Sequence, residues 1–181
     1  MIPTHDQEQL LGLARASIQS HLGLPHSHID LSNLSKASHS TSGVFITLKK
    51  AGELRGCIGC IQSTDAIPDS IRIFSQKAAF EDSRFSPVTD SEIDDLTISI
   101  SLLTPFRSVK SYEDILIGRH GVLLEKGNYS ALFLPKIAQE QGWDRDTTLN
   151  HLAQKAGLPS DGWQADCDFQ IFESIDFSEE V

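Results

Sequence analysis

The sequence predicts an α+β domain in which a mostly antiparallel sheet is flanked by helices. Three observations carry that expectation. Several short runs alternate apolar and polar residues with the two-residue period of a strand. Two of the links between such runs have the length and composition of hairpin turns. The helical segments do not alternate regularly with the strands, as a doubly wound parallel sheet would require.

Each element has its own warrant. Thr4 followed by Gln7 fits a capping box, and Leu10, Leu11, Ala14, Ile18 and Leu22 recur at helical spacing until Gly23 and Pro25. The stretch HSHIDLSNLSKASHSTSG reads as an irregular link. From Gly43, Val44, Ile46 and Leu48 alternate with Phe45, Thr47 and Lys49, and Lys50 to Glu53 supplies a turn, so Leu54 onward returns as the second arm of a hairpin. Pro68 opens a helix carrying Ile71, Phe74, Ala78 and Ala79, and the serines and Pro87 of AFEDSRFSPV make the next segment an ordered loop.

Ile98, Ile100 and Leu102 form a strand that Thr104 and Pro105 stop. Val122 to Leu124 and Ala131 to Leu134 flank the turn-like KGNYS as a second hairpin. Pro135 to Gln141 reads as a short helix, and Asp144 to Gly157 as a further one with Leu149, Leu152, Ala153 and Ala156 inward. In FQIFESIDF, the residues Phe169, Ile171, Ile175 and Phe177 predict one closing strand with an irregularity at Glu173.

The 181 residues suit a single domain spanning 1–181, with room for a smaller lobe. A formal charge of −10, from 15 Lys and Arg against 25 Asp and Glu, repels phosphate backbones and argues against nucleic acid. It leaves room only for a small basic pocket around one small anion. No run approaches the ~18 apolar residues of a membrane span, and MIPTHDQEQ is unlike a signal peptide, so the expectation is a cytoplasmic protein with no membrane partner. Three cysteines, an odd count, make a disulfide framework a poor reading. There is no Walker loop and no dinucleotide fingerprint, so no cofactor is assigned, and the oligomeric state stays open.

The chemistry concentrates in GELRGCIGCI, Gly52 to Ile61. Cys57 and Cys60 have zinc-type spacing, but the one remaining cysteine is Cys167, so no metal site is assigned. A thioredoxin-like pair would open a helix, whereas these cysteines lie in a strand, and Cys60 reads as a small packed hydrophobe. Cys57 is the candidate catalytic residue, because Arg55 nearby favours a thiolate and Gly56 and Gly59 allow close approach of ligand or backbone. The even alternative is a kinked strand with a buried cysteine and a solvated arginine. Residues 55 and 57 share a face of a regular strand, and a bulge between them would undo that. His21, His26 and His28 read as solvated, while His120, between Arg119 and Gly121, is a pocket candidate. Asp82, Arg84 and Phe85 read either as an ion-paired loop lock or as an anion or partner contact.

In order along the chain, GVFITLKKAGELRGCIGCI, AAFEDSRFSPV, LTISISLLTP, IGRHGVLLEKGNYSALFLPKIAQEQGWD and HLAQKAGLP resemble the AMMECR family, whose bacterial and archaeal members are called AmmeMemoRadiSam system protein A. The specific part is LRGCIG, Leu54 to Gly59. The resemblance implies a two-lobed α+β domain encoded with a Memo-like protein and a radical SAM protein, and these are the partners it suggests. It implies a site built from Leu54, Arg55, Gly56, Cys57, Ile58 and Gly59 with Asp82, Arg84 and Phe85. It supplies no reaction. This chain departs from the family pattern at Ser83, where relatives often carry Pro, and at GNYSALFLP, where many carry a basic or glycine-rich stretch.

Overall fold

The computed structural model describes residues 2–40 and 42–179, so Thr41 of the serine-rich link lies outside the described residues. In chain order the elements are α1 (Thr4–His21), β1 (Val44–Lys50), β2 (Glu53–Cys60), α2 (Ile67–Phe80), β3 (Leu96–Leu103), β4 (Arg107–Val109), β5 (Gly121–Lys126), β6 (Tyr129–Phe133), α3 (Pro135–Gln141), α4 (Arg145–Ala156), β7 (Asp168–Phe172) and β8 (Ser174–Ser178). They form two four-stranded sheets, ordered β2-β1-β3-β8 and β4-β7-β5-β6. The α+β class with antiparallel pairing is what the strand periods predicted. The chain divides into two compact units, Met1–Leu103 with Ile175–Val181, and Thr104–Ser174.

In the first unit, alternation along β1 and β3 turns Val44, Ile46, Leu48, Ile98, Ile100 and Leu102 toward one side, where they join Leu10 and Ile18 of α1 and Ile71 and Ala78 of α2 in one core. Each fully buried Leu or Ile contributes about 1.5–3 kcal/mol, so this face holds the sheet against its helices. The hairpin turn is made by Ala51 and Gly52, at φ 51° and 84°. Two consecutive positive φ values match the twist of the strands on either side.

The N-terminus of α1 differs from the capping box expected at Thr4. Pro3 occupies the cap position with φ −60° and ψ 151°, so Thr4 is already inside the first turn. The Gln7 side-chain amide donates instead to the Ile2 carbonyl at 2.9 Å. The link after α1 is tethered by the buried Asp6, whose carboxylate accepts the Ser35 N–H at 2.9 Å and the Ser38 hydroxyl at 2.6 Å. Those bonds hold the Asp6 carboxyl below its usual range.

In the second unit, Val122, Leu124 and Ile171 of the sheet pack against Leu149 and Leu152 of α4 and against Trp163. Asp144 caps α4 by accepting the Thr147 N–H at 2.8 Å, and Gly157, at φ 87°, ends it. The closing segment is not one strand but two, β7 and β8, in different sheets. Glu173 is the break: Thr104 N–H donates to its carbonyl, and its own N–H donates to Thr104 Oγ1, both at 2.8 Å. The irregularity expected at Glu173 is therefore a full break between strands, and the period of two that continues on both sides of it is why the segment read as one strand.

Candidate functional site at the edge of the first sheet

β2 is an edge strand, paired to β1 on one side. Thr47 faces Cys57 and Leu48 faces Gly56, but the next pair is Lys49 with Leu54, so Arg55 is the extra residue of a bulge. Leu54, Cys57 and Thr47 consequently share a face of the sheet. The bulge separates Arg55 from the Cys57 side chain. Cys60 lies opposite Val44 on the core face, while Cys57 lies opposite Thr47 on the other. Three strand residues also span about 10 Å, beyond disulfide reach. Cys57, Cys60 and Cys167 are all free thiols.

The two arginines are each held by a carboxylate. Arg55 Nε and Nη2 donate to the two oxygens of Glu92 at 3.1 and 3.0 Å, and its Nη1 and Nη2 donate to the Ser86 and Pro87 carbonyls at 2.9 and 3.4 Å. Its side chain is only 14% exposed, so Arg55 is not the solvated arginine that a merely kinked strand would carry. Glu92 also accepts from Lys50 Nζ at 3.2 Å and from the Thr89 N–H and hydroxyl at 3.1 and 3.2 Å. Foremost the Arg55 contact, then the Thr89 N–H, brings the Glu92 pKa down to about 2.

Arg84 Nη2 and Nε grip the oxygens of Asp82 at 2.6 and 2.9 Å. Asp82 is buried, with 5% of its side chain exposed, whereas the Arg84 side chain is 54% exposed. The guanidinium of Arg84 keeps the Asp82 carboxyl well below the usual range. This pair faces the free edge of β2. Asp82 Oδ2 accepts the Cys57 N–H at 2.8 Å, and Arg84 Nη2 donates to the Cys57 carbonyl at 3.3 Å. Two side chains thus stand where a neighbouring strand would pair, which satisfies the edge and blocks further strand addition at that residue. Phe85 follows, its ring 5.4 Å from the Arg84 guanidinium carbon.

The Cys57 thiol is half-buried, with Thr47 Oγ1 at 3.4 Å from Sγ. Clearance at both glycines is taken up by the protein's own backbone. A Cβ on Gly56 would meet the Ala78 carbonyl oxygen of α2 at 2.1 Å, and one on Gly59 would meet the Val44 carbonyl oxygen at 2.2 Å. Leu54, 41% exposed, is the outward apolar residue of the motif. Among the described residues no group of three or more His, Cys, Asp or Glu is arranged to hold a metal.

His120 belongs to the second unit. It is buried, its Nδ1 accepts the Leu116 N–H at 3.1 Å, and burial followed by Arg107 and Arg119 holds it below the usual imidazole range. Sequence reasoning missed Glu92 and Thr47. Glu92 had a readable signal, the T-x-x-E spacing of Thr89 to Glu92, which forms a capping box here. Thr47 had none beyond its place on a polar strand face.

A bulged edge strand, braced by two arginine–carboxylate pairs on an antiparallel α+β scaffold, defines the structural class. Comparison with known proteins makes it specific: the chain belongs to the AMMECR1 family, whose profile matches residues 11–177. It is similar to Protein MK0488 of Methanopyrus kandleri, 42% identical over 76% of this chain and 72% of that one. A Methanococcoides burtonii protein is 37% identical over 99% of this chain and 92% of its own length. The crystal structure of the uncharacterized protein PH0010 from Pyrococcus horikoshii superposes with a TM-score of 0.89 at 32% identity, covering 99% of this chain and 94% of that one. Among the described residues no helix is long and apolar enough to cross a membrane.

Proposed function

We propose that the chain is an accessory binding component whose Leu54–Gly59 strand and Asp82–Phe85 loop dock a Memo-like or radical SAM protein, the partners suggested by the family resemblance. One observation carries this reading: Arg55, 14% exposed, is committed to the Glu92 carboxylate and to two carbonyls. A cation employed in that way shapes a surface and has little left to offer a substrate anion. Exposed Leu54 and the outer edge of Arg84 supply the apolar and charged contacts that a rigid docking patch needs.

Co-purification with the two candidate partners tests it. Arg55→Ala would strip the Glu92 brace and confuse folding with binding, so Leu54→Glu is the cleaner variant. It should abolish the complex while leaving the unfolding midpoint unchanged. An undiminished complex would overturn the docking reading.

A second reading rests on the partly exposed Cys57 beside the Thr47 hydroxyl, which suits a nucleophile or thiolate ligand. It expects Cys57 to react with a thiol probe faster in the native chain than in a denatured control. Slower native reaction removes it.

A further inference from the structure

We propose that the cleft beside His120 binds a small organic monocarboxylate. This inference concerns the second unit and stands apart from the docking surface on the first. The cleft, about 320 Å³, is lined by Thr104, Arg107, His120, Ile171, Phe172 and Glu173. Sheet register builds it: Arg107 lies opposite Ile171, which also lies opposite Val122, so these three residues share one face. One alternation further along, past the strand ends, come Glu173 and His120.

The charges in and around the cleft favour a single negative charge. The Arg107 side chain makes no hydrogen bond or ion pair among the described residues, so its two-pronged guanidinium is open. Glu173 is held by Arg119, whose Nε lies 2.9 Å from Oε1. The Leu116 N–H donates to Nδ1 of His120 and the ring also bonds the Asp114 backbone, so His120 is held within the protein at the border of the cleft. The charged groups around His120 are therefore Arg107, Arg119 and Glu173, an excess of one positive charge in a chain of formal charge −10.

A planar fork matches a carboxylate bidentately, and Ile171 with Phe172, whose ring packs 4.7 Å from that of Phe106, gives an apolar wall for the rest of the molecule. A dianionic phosphate would find no second free guanidinium and would face the Glu173 carboxylate. The volume suits an acid of benzoate size.

Calorimetric titration of the full chain with benzoate, benzamide and inorganic phosphate tests the assignment. Benzoate should saturate one site with a Kd of about 1 mM or tighter, and benzamide and phosphate should bind at least about tenfold more weakly. Arg107 is exposed and unpaired, so Arg107→Gln should fold normally and weaken benzoate at least about tenfold. Glu173→Gln should narrow the gap between phosphate and benzoate. Absence of saturable benzoate binding, binding indifferent to Arg107→Gln, or phosphate binding tighter than benzoate would overturn the proposal.

Discussion

Replacing Glu92 by Gln should remove about 2 kcal/mol of stability near neutral pH. Glu92 is 17% exposed and receives bonds from Arg55, Lys50 and Thr89, so the substitution leaves a largely buried guanidinium without its counter-charge. The pH dependence gives an independent figure. A carboxyl held at about 2 instead of the ordinary 4.5 corresponds to at most about 3 kcal/mol, which partial solvent screening reduces to about 1–2. The folded-state pKa is the lower one, so this stabilisation is complete above 4.5 and is lost as pH falls from there toward about 2. Urea unfolding followed by circular dichroism across that range reads both quantities. Wild type should lose stability relative to Glu92→Gln as the solution is acidified, until the two curves meet. A variant within about 0.5 kcal/mol of wild type at neutral pH, with a parallel acid limb, would refute the brace.

Two further changes probe the frame around the site. Gly56→Ala should cost about 2–3 kcal/mol in urea unfolding, because the new Cβ runs into the Ala78 carbonyl on a helix that cannot yield cheaply; a change under about 0.5 kcal/mol would contradict the close packing. Ala51→Asn should raise the melting temperature by about 1–3 °C, since asparagine tolerates the φ of 51° better than alanine does; an unchanged or lower Tm would count against the turn geometry.

Most of the fold was legible because it rests on local pattern. The second hairpin, the short helix at Pro135–Gln141 and the capped helix from Asp144 each follow from a period and a stop signal that act within a few residues. Three-residue β4 is too short to show a period and escaped notice; the irregularity at Glu173 was legible, but the period preserved on both sides hid that it parts two strands of different sheets. The residues of the candidate site, Leu54–Gly59 with Asp82 and Arg84, could be named from the sequence. Its wiring could not, because Glu92 lies 37 residues from Arg55 and Asp82 lies 25 from Cys57. The bulge that parts Arg55 from the Cys57 side chain is a register event, fixed by the partner strand rather than by β2 alone.

Hydrogen exchange at the Cys57 amide tests most directly whether the Asp82–Arg84 pair completes the edge of β2. Wild type should protect this amide although no strand lies beside it, and Asp82→Ala should speed its exchange by about 10- to 100-fold relative to amides inside the β1–β3 ladder, as loss of a charge-assisted hydrogen bond implies. Equal exchange at Cys57 in the two proteins, after that normalisation, would contradict the account.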